Sequence, residues 1–361
     1  MAFDHRHYVP VVLTKRGERR ALADLAPSIK SGFTPLFEVA PIDWNFDLDE
    51  PAKTIDEHLK TLGDDLAGCW GSDRAFIDMR FIEPTERMSD GSHPLDWLIV
   101  RANAAGATLL PSVSPSRDAA YRAAAARSVA RDGRGACVRL ATGEWPSATG
   151  TTQLDGLLRE LAISPAEVDL MLDLAEDGAG SSGLALAAVR NELNALPNAT
   201  DWRTVTVSGA GFPKDLSGLG RGLSVVERTE WTLYQDLLAG PSTSVIPQFG
   251  DYGVAHPDPI LNIDPRLLSI SAAFRYTIDR AWLVAKGELF KGAGGSGRGG
   301  AAALPVAAAI AADSRFAGAA HCAGDAWIAA VPGSGGNPEA WRRVATTHHL
   351  THVSEAVSRL P

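Results

Sequence analysis

The sequence predicts an α/β protein built on a TIM-like (β/α)8 barrel, followed by a C-terminal extension made of a hairpin and helices. Short apolar strands alternate with helical segments over most of the 361 residues, which is the pattern of parallel strands joined by helical crossovers. The length suits one barrel of about 250 residues plus an appendage. No glycine-rich dinucleotide fingerprint follows the first strand, so a closed barrel is favoured over an open doubly wound sheet.

Each predicted strand is a short run of apolar, often β-branched residues, and a segment with helical spacing follows most of them. The first seven predicted strands are residues 8–13, 34–40, 75–82, 107–113, 136–141, 168–174 and 203–207. Two segments compete for the eighth place, residues 223–228 and residues 245–249. We expect the second, because parallel neighbours need a crossover of roughly a dozen residues or more.

The character of the chain changes after the barrel, which we predict to occupy residues 1–265, with an extension over residues 266–361. Two strands separated by Asp279-Arg280 predict a tight hairpin, and we expect Lys286 to be buried in its otherwise apolar second strand. The last predicted elements are a glycine-rich loop at 291–300, a helix at 301–313 and a final helix at 338–358.

Composition narrows the class of protein. The net charge of −9 and pI near 5.5 argue against a general nucleic-acid-coating surface, which needs clustered Lys and Arg. The 3 cysteines are too few and too scattered for a disulfide framework. No signal peptide is visible, and the longest apolar stretch, residues 301–312, is too short to span a membrane. These features predict a cytoplasmic protein without a membrane role.

Charged side chains recur where the predicted strands end. In the segment 75–82, Asp78 and Arg80 are two residues apart, so they share a strand face and must reach polar surroundings. The other charged positions of this kind are Glu38, Arg139, Asp173 and Asp251. Because functional groups of such barrels lie at the carboxyl ends of the strands, we predict one ionic pocket at the C-terminal mouth.

This pocket has two interpretations. Carboxylates could ligate a hard cation such as Mg²⁺ while cations hold a phosphate, which would suit metal-assisted phosphoester chemistry. In the other interpretation the charges form a self-neutralising network that plugs the barrel. On the first interpretation the catalytic or metal-binding groups are Glu38, Asp78, Asp173 and Asp251, and the anion would be held by cations that include Lys15, Arg80 and Arg139.

Weaker motifs lie in the extension. Residues 292–297 match G-x-G-x-x-G, but no βαβ unit surrounds them, so a linker or lid that closes over the mouth is favoured over a dinucleotide turn. His348 and His352 share a helix face at the spacing of metal ligands, but no Glu lies between them as the zinc-protease pattern requires, so a capping, packing or hydrogen-bonding role is favoured over metal binding. No G-x-S-x-G elbow is present for a serine nucleophile.

Short motifs in a fixed order resemble the beta family proteins of phage and bacterial genomes. They include Tyr8-Val9-Pro10, Lys15-Arg16-Gly17-Glu18, Pro35-Leu36-Phe37-Glu38, Arg228-Thr229-Glu230-Trp231, Gly250-Asp251-Tyr252, Arg275-Tyr276, Gly324-Asp325 and His348-His349. The resemblance implies an association with mobile elements and phage–host conflict, but no reaction. It marks Lys15, Glu18, Glu38, Asp78, Asp173, Arg228, Glu230, Asp251, Tyr252 and Arg275. One departure is His321-Cys322-Ala323, where an aromatic residue is expected.

Together these observations favour a barrel protein that binds a small phosphorylated or nucleotide-like ligand at its mouth, as a phosphoester hydrolase with Mg²⁺ as the candidate cofactor. The alternative is a non-catalytic recognition or sensor module of an anti-phage defence system, with a protein partner that receives the signal. The expected ligand-binding residues are Lys15, Arg80, Arg139, Arg228, Glu230, Tyr252, Arg275 and Lys286.

Overall fold

The predicted barrel is confirmed. The computed structural model describes residues 3–176, 182–258, 263–264, 266–292 and 295–361. Its strands are β1 (Tyr8–Leu13), β2 (Leu36–Glu38), β3 (Trp44–Asn45), β4 (Glu50–Pro51), β5 (Arg74–Asp78), β6 (Thr108–Val113), β7 (Ala136–Ala141), β8 (Val168–Asp173), β9 (Thr204–Gly209), β10 (Gly222–Glu227), β11 (Gln248–Asp251), β12 (Ile270–Ile278) and β13 (Ala281–Lys291). Eight of them close a parallel ring in the order β1-β11-β9-β8-β7-β6-β5-β2.

Helices surround the ring and cover the C-terminal sheet. They are α1 (Arg16–Ala23), α2 (Pro27–Lys30), α3 (Ile55–Leu59), α4 (Leu62–Trp70), α5 (Pro94–Ala104), α6 (Ala119–Asp132), α7 (Pro146–Thr149), α8 (Thr152–Leu161), α9 (Ser182–Ala195), α10 (Thr229–Ala239), α11 (Leu304–Ala311), α12 (Ala323–Ala329) and α13 (Pro338–Ser358). Short 3-10 helices occupy Thr142–Glu144, Pro165–Glu167 and Gly299–Ala303. In the described part of the chain, no helix combines the length and the apolar character that crossing a membrane requires.

The eighth barrel strand is β11, in the second of the two candidate segments. It pairs in parallel with β1 on one side and β9 on the other, which closes the ring. The first candidate forms β10, which instead pairs antiparallel with β13. The short connection from β9 to β10 explains this difference, since it leaves no room for the helical crossover that a parallel neighbour requires.

The strand expected at 75–82 ends earlier, at Asp78. The next backbone N–H, that of Met79, donates to the hydroxyl of Tyr121 over 3.2 Å instead of continuing the ladder. Arg80 therefore lies beyond the strand, and it does not share a strand face with Asp78 as the sequence pattern suggested.

The C-terminal unit combines a three-stranded antiparallel sheet, in the order β10-β13-β12, with α11, α12 and α13. The predicted hairpin is present, with Asp279-Arg280 between β12 and β13. Phe274, Tyr276, Ile310 and Trp341 belong to a hydrophobic core separate from that of the barrel. The predicted boundary falls at residue 265, outside the described residues, and β10 joins this sheet from the barrel side of that boundary.

The final helix α13 agrees with the predicted range and joins the two units. Asn337 caps its start by accepting a hydrogen bond from the Ala340 N–H over 2.9 Å, and Pro338 occupies the first helical position. The helix packs against α1 of the barrel and β12 of the sheet. It carries His348 and His349, both fully buried between these layers.

Candidate functional site

Charged strand ends meet around one guanidinium at the barrel mouth. Arg139 projects from β7 and donates to three carboxylates from other strands, all of them buried. The distances are 2.8 Å from Nη1 to Glu38 Oε1, 3.1 Å from Nη1 to Asp78 Oδ2, and 2.8 Å from Nε to Asp173 Oδ2. The structure therefore brings together four of the residues that the sequence placed at strand ends.

Barrel geometry explains why these side chains converge. Glu38, Asp78 and Asp173 are the last residues of β2, β5 and β8, and Glu38 is the direct register partner of Asp78. Adjacent buried carboxylates repel each other, so a cation between them is needed to keep both ionised. Arg139 lies two residues before the end of β7, and its long side chain supplies that charge from across the ring.

Three more side chains complete this arrangement. Arg139 Nη2 donates to the hydroxyl of Tyr252 over 2.6 Å, and that hydroxyl donates to Asp173 Oδ2 over 2.5 Å. Arg117 forms an ion pair with Asp78, and Arg80 Nη1 lies 3.4 Å from Glu38 Oε1. We call this set the mouth network; its members are Glu38, Asp78, Arg80, Arg117, Arg139, Asp173 and Tyr252.

The electrostatics of the mouth network are those of a paired cluster. Burial raises the pKa of Glu38, and the opposing pull of Arg139 and Arg80 does not cancel this shift. Burial also acts on Asp78, but the charges of Arg117 and Arg139 outweigh it and lower the pKa of that carboxyl. Among the residues described at this mouth, the carboxylates do not place three ligand atoms close enough for one metal ion. The arrangement offers Mg²⁺ no preformed three-carboxylate cage.

One side of the mouth network faces a polar cleft of about 380 Å³ above β5, β6, β7 and β8. Asp78, Arg139 and Asp173 form its floor, while Ser114 and Glu144 belong to its walls. Glu38 and Tyr252 border a narrower space of about 30 Å³, which also contacts Glu18 and Arg342. The strand-end groups on this side of the ring are therefore within reach of a ligand.

Asp251, the remaining predicted catalytic carboxylate, belongs to a different arrangement. It accepts from the hydroxyl of Tyr8, lies 3.0 Å from His349 Nε2 and lies 3.4 Å from Arg228 Nη2. Arg228 Nε also donates to Glu230 Oε1 over 3.1 Å, and His349 Nδ1 lies 2.8 Å from Thr277 Oγ1. We call this set the interface network; its members are Tyr8, Arg228, Glu230, Asp251, Thr277 and His349.

The interface network is sealed. All six side chains are buried, and among the described residues none of them lines the cleft, the narrow space beside it or the other main cavities of the protein. Thr277 and His349 belong to the C-terminal unit, whereas Tyr8 and Asp251 belong to barrel strands. The predicted site residues Arg228, Glu230 and Asp251 thus join the two units and do not border the cleft.

A groove with an excess of cations lies where the barrel mouth meets the C-terminal unit. Arg275 Nη1 and Arg342 Nη1 donate to the same carbonyl oxygen, that of Val254, over 2.5 Å and 2.9 Å. Lys15 and Lys214 extend the set, and both are exposed. We call the space lined by Lys15, Lys214, Arg275 and Arg342 the basic groove; its volume is about 510 Å³.

The acidic groups that line the basic groove compensate its cations only in part. Asp258 pairs with Arg80, and Glu339 accepts from Arg16. Glu18 Oε1 lies 3.6 Å from Arg342 Nε. Burial and the neighbouring Arg342 lower the pKa of Arg275 well below its ordinary value, although Glu18 opposes them. The two guanidiniums therefore face each other with only partial compensation.

Lys286 borders a second space of about 570 Å³ that continues from the basic groove along the C-terminal sheet. Its ammonium group donates to the carbonyl oxygens of Leu216 and Leu219 over 2.7 Å and 2.8 Å. Lys286 therefore fixes the loop after β9, and it is half-buried, not fully buried.

The glycine-rich match at 292–297 includes residues 293 and 294, which lie outside the described residues. The described part of this segment follows β13, the second strand of the antiparallel hairpin. Just after it, the backbone N–H of Arg298 donates to the carbonyl oxygen of Leu289 over 2.8 Å. No βαβ crossover surrounds it in the described ranges. The expected lid over the mouth network stays a prediction.

Sequence reasoning missed Arg117, Lys214 and Arg342. Arg117 follows β6 in a loop at the same end as the predicted strand-end charges, so scanning those loops for cations could have found it. Arg342 carries no such signal, because it approaches the mouth from α13, far away in the sequence. Lys214 lies in the connection between β9 and β10, which the sequence analysis did not examine for charge.

Comparison with known proteins gives a family and a distant structural likeness. No curated protein matches the sequence. Among solved structures, the chain is similar to the triosephosphate isomerase from Bartonella henselae, at 15% identity and a TM-score of 0.35, over 68% of this chain and 91% of that one. Nothing about the chemistry of this chain follows from that likeness. The model of the family described as Beta protein matches residues 8–355, and the chain belongs to this family.

Proposed function

We propose that this protein binds a small phosphorylated or nucleotide-like ligand at the C-terminal mouth of its barrel, with the anion held in the basic groove. The observation that carries the proposal is the convergence of Arg275 and Arg342 on the carbonyl oxygen of Val254. Two guanidiniums this close to one oxygen leave positive charge and further N–H donors directed at the surrounding space. A phosphate accepts such donors in pairs and neutralises both cations.

The surroundings support a ligand with an anionic part and a less polar part. Lys15 and Lys214 add two cations at the rim, and neither forms an ion pair within the described residues. The adjoining space is also lined by Arg275, Arg342 and Lys214. Its apolar walls are formed by Ile270, Leu289 and Trp341. Volumes of about 510 Å³ and 570 Å³ fall within the range of small-molecule sites, roughly 300–1,000 Å³.

The positions of the groove's cations favour a sensing role for this binding. Lys15 comes from a barrel loop, whereas Arg275 and Arg342 come from β12 and α13 of the C-terminal unit. A ligand in the basic groove would therefore contact both units and favour one relative arrangement of them. This suits the recognition or sensor module of a phage–host conflict system that the sequence raised as an alternative.

Hydrolysis is the second candidate, and it has a weaker basis. Glu38 has a raised pKa and lines the narrow space shared with Arg342, so it could donate a proton to a leaving group. Asp78 and Asp173 are ion-paired with Arg139, which leaves them less suited to hold Mg²⁺. Release of inorganic phosphate from a bound ligand would distinguish hydrolysis from sensing.

The test is a thermal-shift and calorimetric screen of inorganic phosphate, sugar phosphates and nucleotides, with and without Mg²⁺. A ligand at roughly 100 times its Kd should stabilise the protein by about 2.7 kcal/mol, which moves the melting temperature by several degrees. Lys15→Met and Lys214→Met should each weaken the binding of that ligand severalfold. The melting temperature of the unliganded protein should stay the same, because both side chains are exposed.

Arg275→Met should abolish the shift. The matched control is Arg266→Met, which removes an exposed arginine paired with Asp47 and Asp264 away from the groove. If no member of the ligand series shifts the wild type, or if the lysine variants bind as tightly as the wild type, the basic groove is not a phosphate site.

A further inference from the structure

Three side chains of metal-ligating types gather in the C-terminal unit, and none of them belongs to the mouth network. His321 precedes α12, Asp325 lies in its first turn, and His348 lies in the middle of α13. One ring nitrogen of each histidine and a carboxylate oxygen of Asp325 all lie within 4.8 Å of one another. Asp325 and His348 are fully buried.

The hydrogen-bond partners of His348 leave one of its contacts, that with Asp325, without a donor when the imidazole ring is neutral. Its Nε2 lies 2.8 Å from the carbonyl oxygen of Thr277, which accepts but cannot donate, so Nε2 must carry a hydrogen. In the neutral ring Nδ1 is then a lone-pair acceptor, and it faces Asp325 Oδ2 over 2.9 Å. Two acceptors in contact need a positive species between them, either a proton or a metal ion.

His321 provides an independent observation. Its Nε2 is buried and has no hydrogen-bond partner, although its ring centroid lies 5.5 Å from that of His348. Leaving a buried ring nitrogen without a partner costs about 1–3 kcal/mol. A proton shared by His348 and Asp325 would satisfy those two residues, but it would do nothing for His321.

The outer contacts of the cluster are those that a metal centre requires. Ligating histidines usually donate their second N–H to a carbonyl oxygen, and ligating carboxylates are themselves hydrogen-bonded. His348 meets the first condition through Thr277, and Asp325 meets the second by accepting from the Tyr276 hydroxyl over 2.7 Å. Both ligands are thereby fixed in orientation before any ion arrives.

We propose that His321, Asp325 and His348 form a binding site for a divalent transition-metal ion of the zinc class. Two imidazoles and one carboxylate are ligands that Zn²⁺ accepts, at bond lengths of about 2.0–2.2 Å. A tetrahedral ion with such bonds spaces its ligand atoms roughly 3.3 Å apart, between the 2.9 Å of His348 and Asp325 and the 4.8 Å limit of the cluster. The thiol of Cys322 donates to Asp325 Oδ2 over 2.9 Å and therefore lies beside this group.

Binding there would tie the start of α12 to α13 and, through Thr277, to β12. This position lies outside the basic groove, so the metal would stabilise the C-terminal unit and not contact the ligand of that groove. The inference is independent of the proposed function, because neither site uses a residue of the other.

The experiment measures metal binding directly. Protein treated with a chelator and dialysed is titrated with Zn²⁺ by calorimetry and with Co²⁺ by visible absorption, which reports a tetrahedral site through its ligand-field bands. We expect one ion per chain. His321→Ala should weaken binding by about 100-fold or more, and Tyr276→Phe, which removes an outer contact, by about 10–100-fold.

His321→Ala is the decisive variant, because the Nε2 of that side chain has no hydrogen bond to lose. The metal-free variant should therefore melt at or slightly above the wild-type temperature, and Zn²⁺ should raise only the wild-type melting temperature. His5→Ala is the matched control; His5 is a half-buried histidine that lies outside the cluster and contacts the carbonyl of Pro361. Failure of the wild type to bind one ion, or equal binding by His321→Ala, would overturn the proposal.

Discussion

The mouth network and the interface network begin from the same kind of residue and differ in what lies above them. Both contain carboxylates from the ends of barrel strands, and both use an arginine and a tyrosine to hold them. The mouth network faces a cleft of about 380 Å³. The interface network is covered by β12 and α13, which contribute Thr277 and His349.

This difference shows that a charged strand end in a barrel is not by itself a sign of a ligand site. On the side of β5 to β8 the described residues leave a cleft, and Asp78, Arg139 and Asp173 line it. Beside Asp251, at the end of β11, Thr277 and His349 of the C-terminal unit fill the corresponding space. Asp251 therefore serves the junction between the two units, while Asp78 and Asp173 remain within reach of a ligand.

The largest effect should come from removing the cation of the mouth network. Arg139→Met leaves Glu38, Asp78 and Asp173 buried without their shared partner, and breaking a buried pair from one side costs about 3–5 kcal/mol. Urea denaturation near pH 7 should show this loss. Without Arg139 the carboxyls take up protons more readily in the folded state, so the deficit should shrink as the pH is lowered towards about 5.

The matched control for that change is Arg359→Met, which removes an exposed arginine paired with Glu355 one helical turn away. Its cost should stay at or below about 0.5 kcal/mol. A loss of less than about 1 kcal/mol for Arg139→Met would mean that water replaces the guanidinium, and that the three carboxylates do not depend on Arg139 as their shared partner.

The next largest effect should come from Asp251→Asn in the interface network. Burial would raise the pKa of Asp251, but His349 and Arg228 outweigh burial and lower it, so the carboxylate is charged and its loss should cost about 2–3 kcal/mol. Hydrogen exchange should increase in α13 more than in β5 or β7. Asp56→Asn, at a half-buried carboxylate that accepts a hydrogen bond from Ser89, should change stability by less than about 0.5 kcal/mol. Uniform exchange throughout the barrel would contradict the role of Asp251 as a junction.

Glu230 should give the interface network a pH dependence that extends up to near neutral pH. Burial raises the pKa of Glu230 to about 7, against the pull of Arg228. A carboxyl with a raised folded pKa contributes stability below its unfolded pKa and loses it as the pH rises towards about 7. Glu230→Gln should therefore gain stability relative to the wild type as the pH rises from about 4.5 to about 7, by up to about 1.4 kcal/mol per pH unit. Parallel denaturation curves at all pH values would disprove this.

The smallest expected effect is the difference in stability loss between Tyr8→Phe and Tyr252→Phe. Tyr8→Phe removes a hydroxyl from the sealed network, where Asp251 cannot recruit water, so it should cost about 1.5–3 kcal/mol. Tyr252→Phe removes a hydroxyl beside Arg139 and Asp173 near the cleft, where water can substitute, and should cost about 1 kcal/mol. The measurement is the difference between the two free energies of unfolding. Equal costs would remove the distinction between open and sealed networks.

Much of the architecture was predictable because its signals are local. The alternation of apolar strands and helical spacing gave the eight-stranded ring, and the need for a crossover selected the segment around Phe249 over β10. The hairpin at Asp279-Arg280 and the range of α13 were also predictable from turn and capping residues. The end of β5 at Asp78 was not, because the hydroxyl of Tyr121, distant in the sequence, takes the next N–H.

The sequence by itself determined that charged side chains stand where the barrel strands end. Only the tertiary structure decided which of these side chains line an open cleft and which are covered by the C-terminal unit. Arg139 joins Glu38, Asp78 and Asp173 because ring closure sets the distances across the mouth, whereas Asp251 is sealed because α13 docks above it. Strand periodicity is encoded in neighbouring residues, but the pairing of buried charges depends on contacts between segments more than a hundred residues apart, such as Arg139 with Glu38.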